Sequence, residues 1–177
     1  MDLLYRFEGT LGDVAPVGLA PHGLRIDIPF TGRLTEGVLG DGPAHGTEYL
    51  LQRRDGVGVI DARDTFAIPG GFLHARAHGF VRPPADVAPP PLEAMLDPAY
   101  EAPDLPLAID GFALCETGVP AFEHLNRVLV KIDGWVNNGT GELVFEGRAA
   151  HATRRRRHPA GGSVPLAPAD PAWTVAS

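Results

Sequence analysis

The stretch from Glu48 to Phe66, EYLLQRRDGVGVIDARDTF, constrains the fold of this chain most. It consists of two runs rich in aliphatic residues that meet at Asp55-Gly56. Such a dipeptide between apolar runs is a strong signal of a β-hairpin, because the turn needs positive φ and glycine adopts it freely. The sequence therefore predicts a hairpin with many charged side chains. A second charged stretch, CETGVPAFEHLNRVLV at 115–130, is expected to meet it in one cavity.

Further strands are predicted along most of the chain, with a loop at 12–23 that contains two prolines and three glycines. Residues 24, 26, 28 and 30 are apolar and alternate with other residues, and Pro29 indicates an edge or a bulge because it cannot donate to a ladder. The segment Asn137–Gly141 is typical of a hairpin turn, and 121–132 is predicted as a strand. The proline-rich segment 82–106 leaves room for a helical turn only at 92–96. Eight or nine strands with at most one short helix indicate an all-β barrel or sandwich.

The length of 177 residues predicts one domain, at 1–150, followed by a tail at 151–177. The tail is rich in arginine, proline and glycine, with four consecutive arginines at 154–157, and is predicted to be poorly ordered. A net charge of −7 argues against a nucleic-acid partner. No apolar run approaches the ~20 residues that cross a bilayer, and no signal peptide is recognised, so a cytoplasmic protein without a membrane partner is expected.

Several chemical classes are excluded or disfavoured by motif. The single cysteine, Cys115, excludes an internal disulfide and a cysteine-rich zinc site, and it is expected to be a small buried hydrophobe. The chain contains no nucleophile elbow and no glycine-rich phosphate-binding motif. His74 and His78 would lie about 13 Å apart on a strand with a rise of ~3.3 Å per residue, which is too far to share a metal. We therefore expect neither a cofactor nor a metal site.

Three segments of the chain resemble a bacterial family of unassigned role, domain of unknown function 3237. They are LRIDIPFTGRLTEGVLGDG at 24–42, RRDGVGVIDARDTF at 53–66 and ETGVPAFEHLNR at 116–127, and the resemblance extends over 3–150. It implies a closed antiparallel barrel of about eight strands, like those of the calycins, often oligomeric and with a lumen. The chain departs from the family at His124, where tryptophan is usual, and at Gly70-Gly71, where Asp-Gly is usual.

Charged pairs on the central hairpin are the first candidate site. Asp61 and Arg63 lie two apart on one strand, so they share a face. Facing a lumen, Asp61 would move a proton and Arg63 would hold an anionic or carbonyl oxygen; the alternative is a structural ion pair that fixes strand register. Tyr49 and Arg53 also share a face. Either their phenol and guanidinium groups bind substrate together, or this face of the strand is solvated.

The second charged stretch supplies the other candidates. Glu116 precedes a Thr-Gly-Val-Pro turn and is either a base or a cap for the backbone of that turn. Read as a strand, the stretch places His124 and Asn126 on one largely apolar face. There His124 is either a proton-transfer group or a hydrogen-bonded core residue, and Asn126 either binds substrate or satisfies strand-end backbone groups. The alternating His74, Arg76 and His78 are expected on a solvated outer face.

The leading interpretation is a cofactor-independent acid/base enzyme of the isomerase, cyclase or hydratase/lyase type, acting on a small organic molecule in the lumen. Asp61, Glu116 and His124 would be catalytic, with substrate-binding groups at Tyr49, Arg53, Arg63 and Asn126, and the two arginines would stabilise an oxyanion. The alternatives are a non-catalytic small-molecule-binding barrel and a structural, oligomer-forming protein. A carboxyl or imidazole with a displaced pKa in a water-accessible cavity would favour the enzyme, and a filled barrel would favour the structural role.

Overall fold

The computed structural model describes residues 2–150, and the predicted tail at 151–177 lies outside the described residues. The described chain is mostly strand, with a 3-10 turn at Ala94–Leu96 and a 3-10 helix at Pro120–Arg127. The strands are β1 (Leu3–Leu11), β2 (Ala15–Ala20), β3 (Gly23–Glu36), β4 (Gly42–Gln52), β5 (Gly58–Ile68), β6 (Gly71–Arg82), β7 (Pro106–Thr117), β8 (Leu129–Asn137) and β9 (Glu142–Ala149).

Eight of these strands close into a barrel. From β3 to β9 each strand pairs antiparallel with the next, β9 pairs with β1, and β1 pairs with β3. Closure removes the exposed edges that an open sheet would leave. β2 pairs only with β3 and lies outside the barrel. The predicted all-β fold, a closed antiparallel barrel of about eight strands, is confirmed.

The long strand β3 changes partner partway along its length. Its N-terminal half pairs with β2 as far as Asp27, and its C-terminal half pairs with β1 from Phe30 onward. Pro29 lies between the two ladders, where its missing N–H breaks no pairing. The sequence-based prediction of an edge at Pro29 therefore agrees with the position at which β3 exchanges neighbours.

Alternate residues of each barrel strand point inward, and several aromatic rings pack against one another in the interior. The rings of Phe7 and Phe145 stack at a centroid distance of 4.7 Å, and those of Tyr5 and Phe66 lie 4.9 Å apart. All four side chains are buried. Truncating a buried phenylalanine to alanine costs about 3–5 kcal/mol, so this cluster anchors the barrel.

Local predictions had mixed outcomes. The Asp55-Gly56 turn is confirmed, with Gly56 at φ +83°, and the Asn137–Gly141 turn is confirmed, with a hydrogen bond from Gly141 N to Asn137 O of 2.8 Å. The strand predicted at 121–132 is wrong in its first part, because 120–127 forms a 3-10 helix. Pro120 suits a first helical position, since its missing N–H would have no helical partner there. The segment 12–23, predicted as a loop, contains β2.

Candidate functional site

Asp61 and Arg63 share a face of β5, as predicted, but that face is the outside of the barrel. The inward-facing residues of the strand are those of the opposite parity, such as Ala62. Arg63 Nη1 donates to Asp61 Oδ1, and this hydrogen bond is the main reason that the pKa of Asp61 lies below its usual value. The lumenal placement of the pair is therefore wrong, and the contact agrees with the structural ion pair that the sequence left open.

Tyr49 and Arg53 do not reach the lumen either. Tyr49 lies on the outer face of β4 opposite Asp27 and is 40% exposed. Arg53 follows the end of β4, is exposed, and forms an ion pair with Asp55 in the hairpin turn. Their placement agrees with the solvated surface that the sequence left open.

The three candidates of the second charged stretch are also exposed. Glu116 lies opposite His74 on the outer face of β6 and β7. His124 is on the 3-10 helix, where the strand parity that predicted its orientation does not apply. Asn126 accepts a hydrogen bond from Thr117 N at 2.8 Å and donates to Thr117 O at 3.0 Å. Asn126 thus satisfies strand-end backbone groups, which was one of its two predicted roles.

The barrel interior contains a cavity of about 90 Å³. Its wall is largely aliphatic and aromatic, and includes Ile28, Leu50, Ile60, Ile132 and Phe145. A water molecule needs at least about 10–15 Å³ of such space, and an apolar cavity of about 150 Å³ holds benzene. The barrel is therefore not filled by its own side chains, and the cavity has room for several water molecules or a small group of ligand atoms.

Glu48 points into this cavity from β4 and lies where the hydrogen-bond ladder between β4 and β5 is interrupted. β4 and β5 form ladder pairs at Glu48 and Ala62 and again at Leu51 and Val59, but not at the positions between. Within this gap Glu48 Oε1 accepts a hydrogen bond from the backbone N–H of Asp61 at 2.8 Å. The side chain thus replaces a backbone acceptor. Burial raises the pKa of Glu48 to about 8, because desolvation disfavours the charged carboxylate.

Asp64 is the second carboxyl in the cavity wall and is only 2% exposed. Burial raises its pKa to about 7, and the nearby Arg63 guanidinium opposes that rise. Its Oδ1 atom is buried and has no hydrogen-bond partner among the described residues. Gly46 lies directly opposite, where a Cβ would be 2.8 Å from Asp64 Oδ1 and 2.5 Å from the Phe30 ring. Glycine at position 46 therefore makes room for the carboxyl.

The two carboxyls are diagonal neighbours across the β4–β5 pair. Glu48 lies opposite Ala62 and Asp64 opposite Gly46, an arrangement in which Cα atoms are typically about 7–8 Å apart. The negative charge of Asp64 further raises the pKa of Glu48. Near neutral pH, Glu48 therefore retains its proton while Asp64 is partly ionised. Such a pair supplies an acid and a base in one small cavity.

Two more titratable side chains lie within electrostatic range of Asp64. Burial raises the pKa of the Cys115 thiol to about 12 and that of the Tyr5 phenol well above its usual value, and the charge of Asp64 adds to both shifts. Cys115 is buried, as predicted, and its thiol stays protonated at neutral pH. The Tyr5 hydroxyl is buried without a hydrogen-bond partner among the described residues.

The sequence does carry a signal for Asp64, although the prediction chose Asp61. The inward-facing positions of β5 are all glycine, alanine or larger hydrophobics except Asp64. An isolated carboxyl on an otherwise apolar face is the informative exception to hydrophobic alternation. Glu48 gives a weaker signal, since it shares its face with Ala44 and Leu50 but also with Gln52.

No group of three or more His, Cys, Asp or Glu side chains within residues 2–150 is arranged to hold a metal ion. In the same range, no helix is both long enough and apolar enough to cross a membrane.

Comparison with known proteins gives the fold alone. No protein-family model matches the chain, and no curated protein matches it. A conserved protein of unknown function from Rhodopseudomonas palustris aligns with a TM-score of 0.62 and 18% identity, over 84% of this chain and 95% of that one. A protein of unknown function from Clostridium acetobutylicum aligns with a TM-score of 0.66 and 16% identity, over 84% of this chain and 96% of that one. A β-barrel-like protein from Acinetobacter baumannii aligns with a TM-score of 0.65 and 18% identity, over 84% of this chain and 93% of that one. These likenesses support the barrel, and membership of the family named above stays a prediction.

Proposed function

We propose that the protein is a cofactor-independent acid/base enzyme that moves a proton on a small organic molecule held in the barrel lumen. Glu48 would act as the acid and Asp64 as the base. The observation that carries the proposal is the presence of two carboxyls, Asp64 buried and Glu48 half-buried, with pKa values of about 7 and about 8, in the wall of one cavity. Perturbed carboxyls of this kind cluster at catalytic sites, because efficient proton transfer needs a pKa near the working pH.

The hydrogen bonds of the two carboxyls fit complementary roles. Glu48 Oε1 accepts the Asp61 N–H, so the proton of the neutral acid belongs on Oε2, which is then free to donate. Asp64 Oδ1 is an acceptor without a partner among the described residues. In the proposed step Asp64 removes a proton from a substrate carbon, and Glu48 Oε2 gives one to the atom on which negative charge develops. Return of the proton from Asp64 to another carbon, together with return of the enol O–H proton to Glu48 Oε2, completes an isomerisation and restores both carboxyls.

This assignment revises the predicted catalytic residues. Asp61, Glu116 and His124 are on the outside, and Arg53 and Arg63 likewise face away from the cavity. An oxyanion in the lumen would therefore be stabilised by the neutral Glu48 acid rather than by a guanidinium. A cytoplasmic location and a homo-oligomeric state stay predictions; light scattering of the purified protein would test the second.

Hydrogen–deuterium exchange into small molecules tests the proposal directly. Ketones, aldehydes, amides and carboxylic acids of three to six carbons would be incubated with the protein in D₂O and followed by NMR. We expect exchange or isomerisation of at least one class, with an apparent bell-shaped pH profile centred near 7.5, midway between the two pKa values.

Two isosteric variants and one control locate the chemistry. Glu48→Gln and Asp64→Asn should each lower the rate by about 10²–10⁴-fold, whereas Asp61→Asn, on the outer face, should retain it. Equal losses in all three variants, or full activity in the first two, would refute the assignment. Retention of a small molecule without any exchange would instead establish the non-catalytic binding barrel.

A further inference from the structure

We infer that the lumen accepts uncharged carbonyl compounds with a short aliphatic end and excludes carboxylates. This inference names the substrate class of the proposed site and rests on the proposed function for the roles of Glu48 and Asp64.

The distribution of charge around the cavity argues against anionic ligands. Along the eight barrel strands, as far as the structure describes them, no lysine, arginine or histidine occupies an inward-facing position, by strand parity. His78 borders the cavity, but its ring lies 5.8 Å from that of Phe112 and its Nδ1 atom is 3.7 Å from Asp61 Oδ1, both on the outer face. The Arg63 guanidinium acts on both carboxyls but lies on the outer face of β5. An anion in the cavity would thus be desolvated beside two carboxyls with no inward-facing cation, which is costly.

The hydrogen-bonding capacity of the wall favours a carbonyl group. Neutral Glu48 offers one O–H donor at Oε2, and a carbonyl oxygen is an acceptor that matches it. In such a complex Asp64 Oδ1 would lie beside the α-carbon, whose C–H is acidified by the neighbouring carbonyl group. With the enol form of the ligand, Asp64 Oδ1 would instead accept the enol O–H. A hydrocarbon would leave the Glu48 O–H and Asp64 Oδ1 without partners, and burying unpaired polar groups is costly.

The size and lining of the cavity limit what fits beside that carbonyl. About 90 Å³ is smaller than the ~150 Å³ that holds benzene, so roughly three or four heavy atoms fit inside. Most of the other lining side chains, including Ile60, Ile132 and Phe145, are apolar, and Gln52, His78 and Asn138 are the polar exceptions. The part of the ligand that enters is therefore a short aliphatic ketone or aldehyde end.

Three probes of equal chain length test this inference: butanone, butyrate and n-butylammonium. Binding to the full-length protein would be measured by saturation-transfer NMR at pH 6.5 and pH 9.0. Butanone requires neutral Glu48, whose fraction falls about tenfold between these pH values for a pKa of about 8. We expect butanone binding to weaken about tenfold and butyrate not to bind. Binding of butyrate as tight as that of butanone would overturn the inference. So would n-butylammonium binding that becomes tighter as pH rises and is tighter than the binding of butanone.

A matched variant separates ligand class from catalysis. Glu48→Gln retains an N–H donor but does not titrate, so it should bind butanone with little pH dependence. Asp86→Asn, which changes an exposed carboxyl outside the cavity wall, should behave as wild type. Should Glu48→Gln fail to fold, the wild-type pH dependence alone decides. Butanone that binds without exchanging its α-protons in D₂O would support the ligand class and refute the proposed catalysis. Proton exchange into butyrate but not butanone would do the reverse.

Discussion

Replacing Asp64 with asparagine should stabilise the protein at alkaline pH relative to wild type. The ordinary pKa of this carboxyl, 3.8, applies to the unfolded chain, and the folded value is about 7. Between these values the folded protein binds a proton that the unfolded chain lacks, so the free energy of unfolding falls as pH rises. The difference of about 3 between these two pKa values corresponds to about 4 kcal/mol of unfolding free energy. Asparagine has the same shape and does not titrate.

The measurement is urea denaturation of both proteins at pH values from 4 to 8. The difference in unfolding free energy, variant minus wild type, should grow by about 4 kcal/mol in favour of the variant over this range. Using the difference cancels the titration of groups that the two proteins share. Asp86→Asn, which changes an exposed carboxyl, is the control and should show no such growth. Parallel pH profiles for Asp64→Asn and wild type would mean that Asp64 is solvated in the folded protein, and would refute the burial argument.

Three other substitutions test separate contacts. Tyr5→Phe should raise the unfolding free energy by about 1 kcal/mol, because it removes a buried hydroxyl without a partner among the described residues; a loss in urea denaturation would indicate a water bound there. Asp61→Asn should lower it by no more than about 1 kcal/mol, since the ion pair with Arg63 is partly exposed; a loss several times larger would contradict that view. Asn126→Ala removes two hydrogen bonds to Thr117 and should cost about 1–2 kcal/mol, with faster amide exchange at Thr117; unchanged exchange there would show that the two bonds do not hold the strand end.

The barrel could be predicted because alternation and turn chemistry act locally. The turns at Gly56 and Gly141 need positive φ, and glycine marks both in the sequence. Along β5 the apolar parity also identifies the inner face, so Asp64 was accessible to sequence reasoning. The prediction chose Asp61 instead because its pairing with Arg63 is the more conspicuous chemical pattern, although an ion pair is as typical of a strand's outer surface as of a site.

On β7 the parity signal is misleading. The inward-facing positions carry small residues such as Ala113 and Cys115, while Phe112 and Leu114 face outward and are 43% and 53% exposed. Ala113 and Cys115 belong to the same core cluster as the rings of Tyr5, Phe7 and Phe66, and close packing beside such large rings favours small side chains. This constraint comes from packing across the barrel and leaves no trace in the local sequence.

The 3-10 helix at 120–127 was beyond sequence reasoning for a similar reason. The run AFEHLNRVLV satisfies a strand period and a helical period about equally. The helical choice is settled by distant contacts, namely burial of Leu125 in the core and the two hydrogen bonds between Asn126 and Thr117 of β7. The orientation predicted for His124 assumed a strand, whereas the residue lies on the 3-10 helix.

Stability and function should respond in opposite directions in the lumen. We expect ionised Asp64 to lower the stability of the folded protein above pH 7. Glu48 takes the place of a backbone acceptor in the ladder between β4 and β5. A merely structural carboxyl would be expected to have its hydrogen bonds satisfied, and its removal would then be destabilising. If Asp64→Asn is both more stable at pH 8 and inactive in proton exchange, then the Asp64 carboxyl destabilises the folded protein but is required for catalysis. A variant that is less stable and equally active would instead assign Asp64 to the architecture of the barrel.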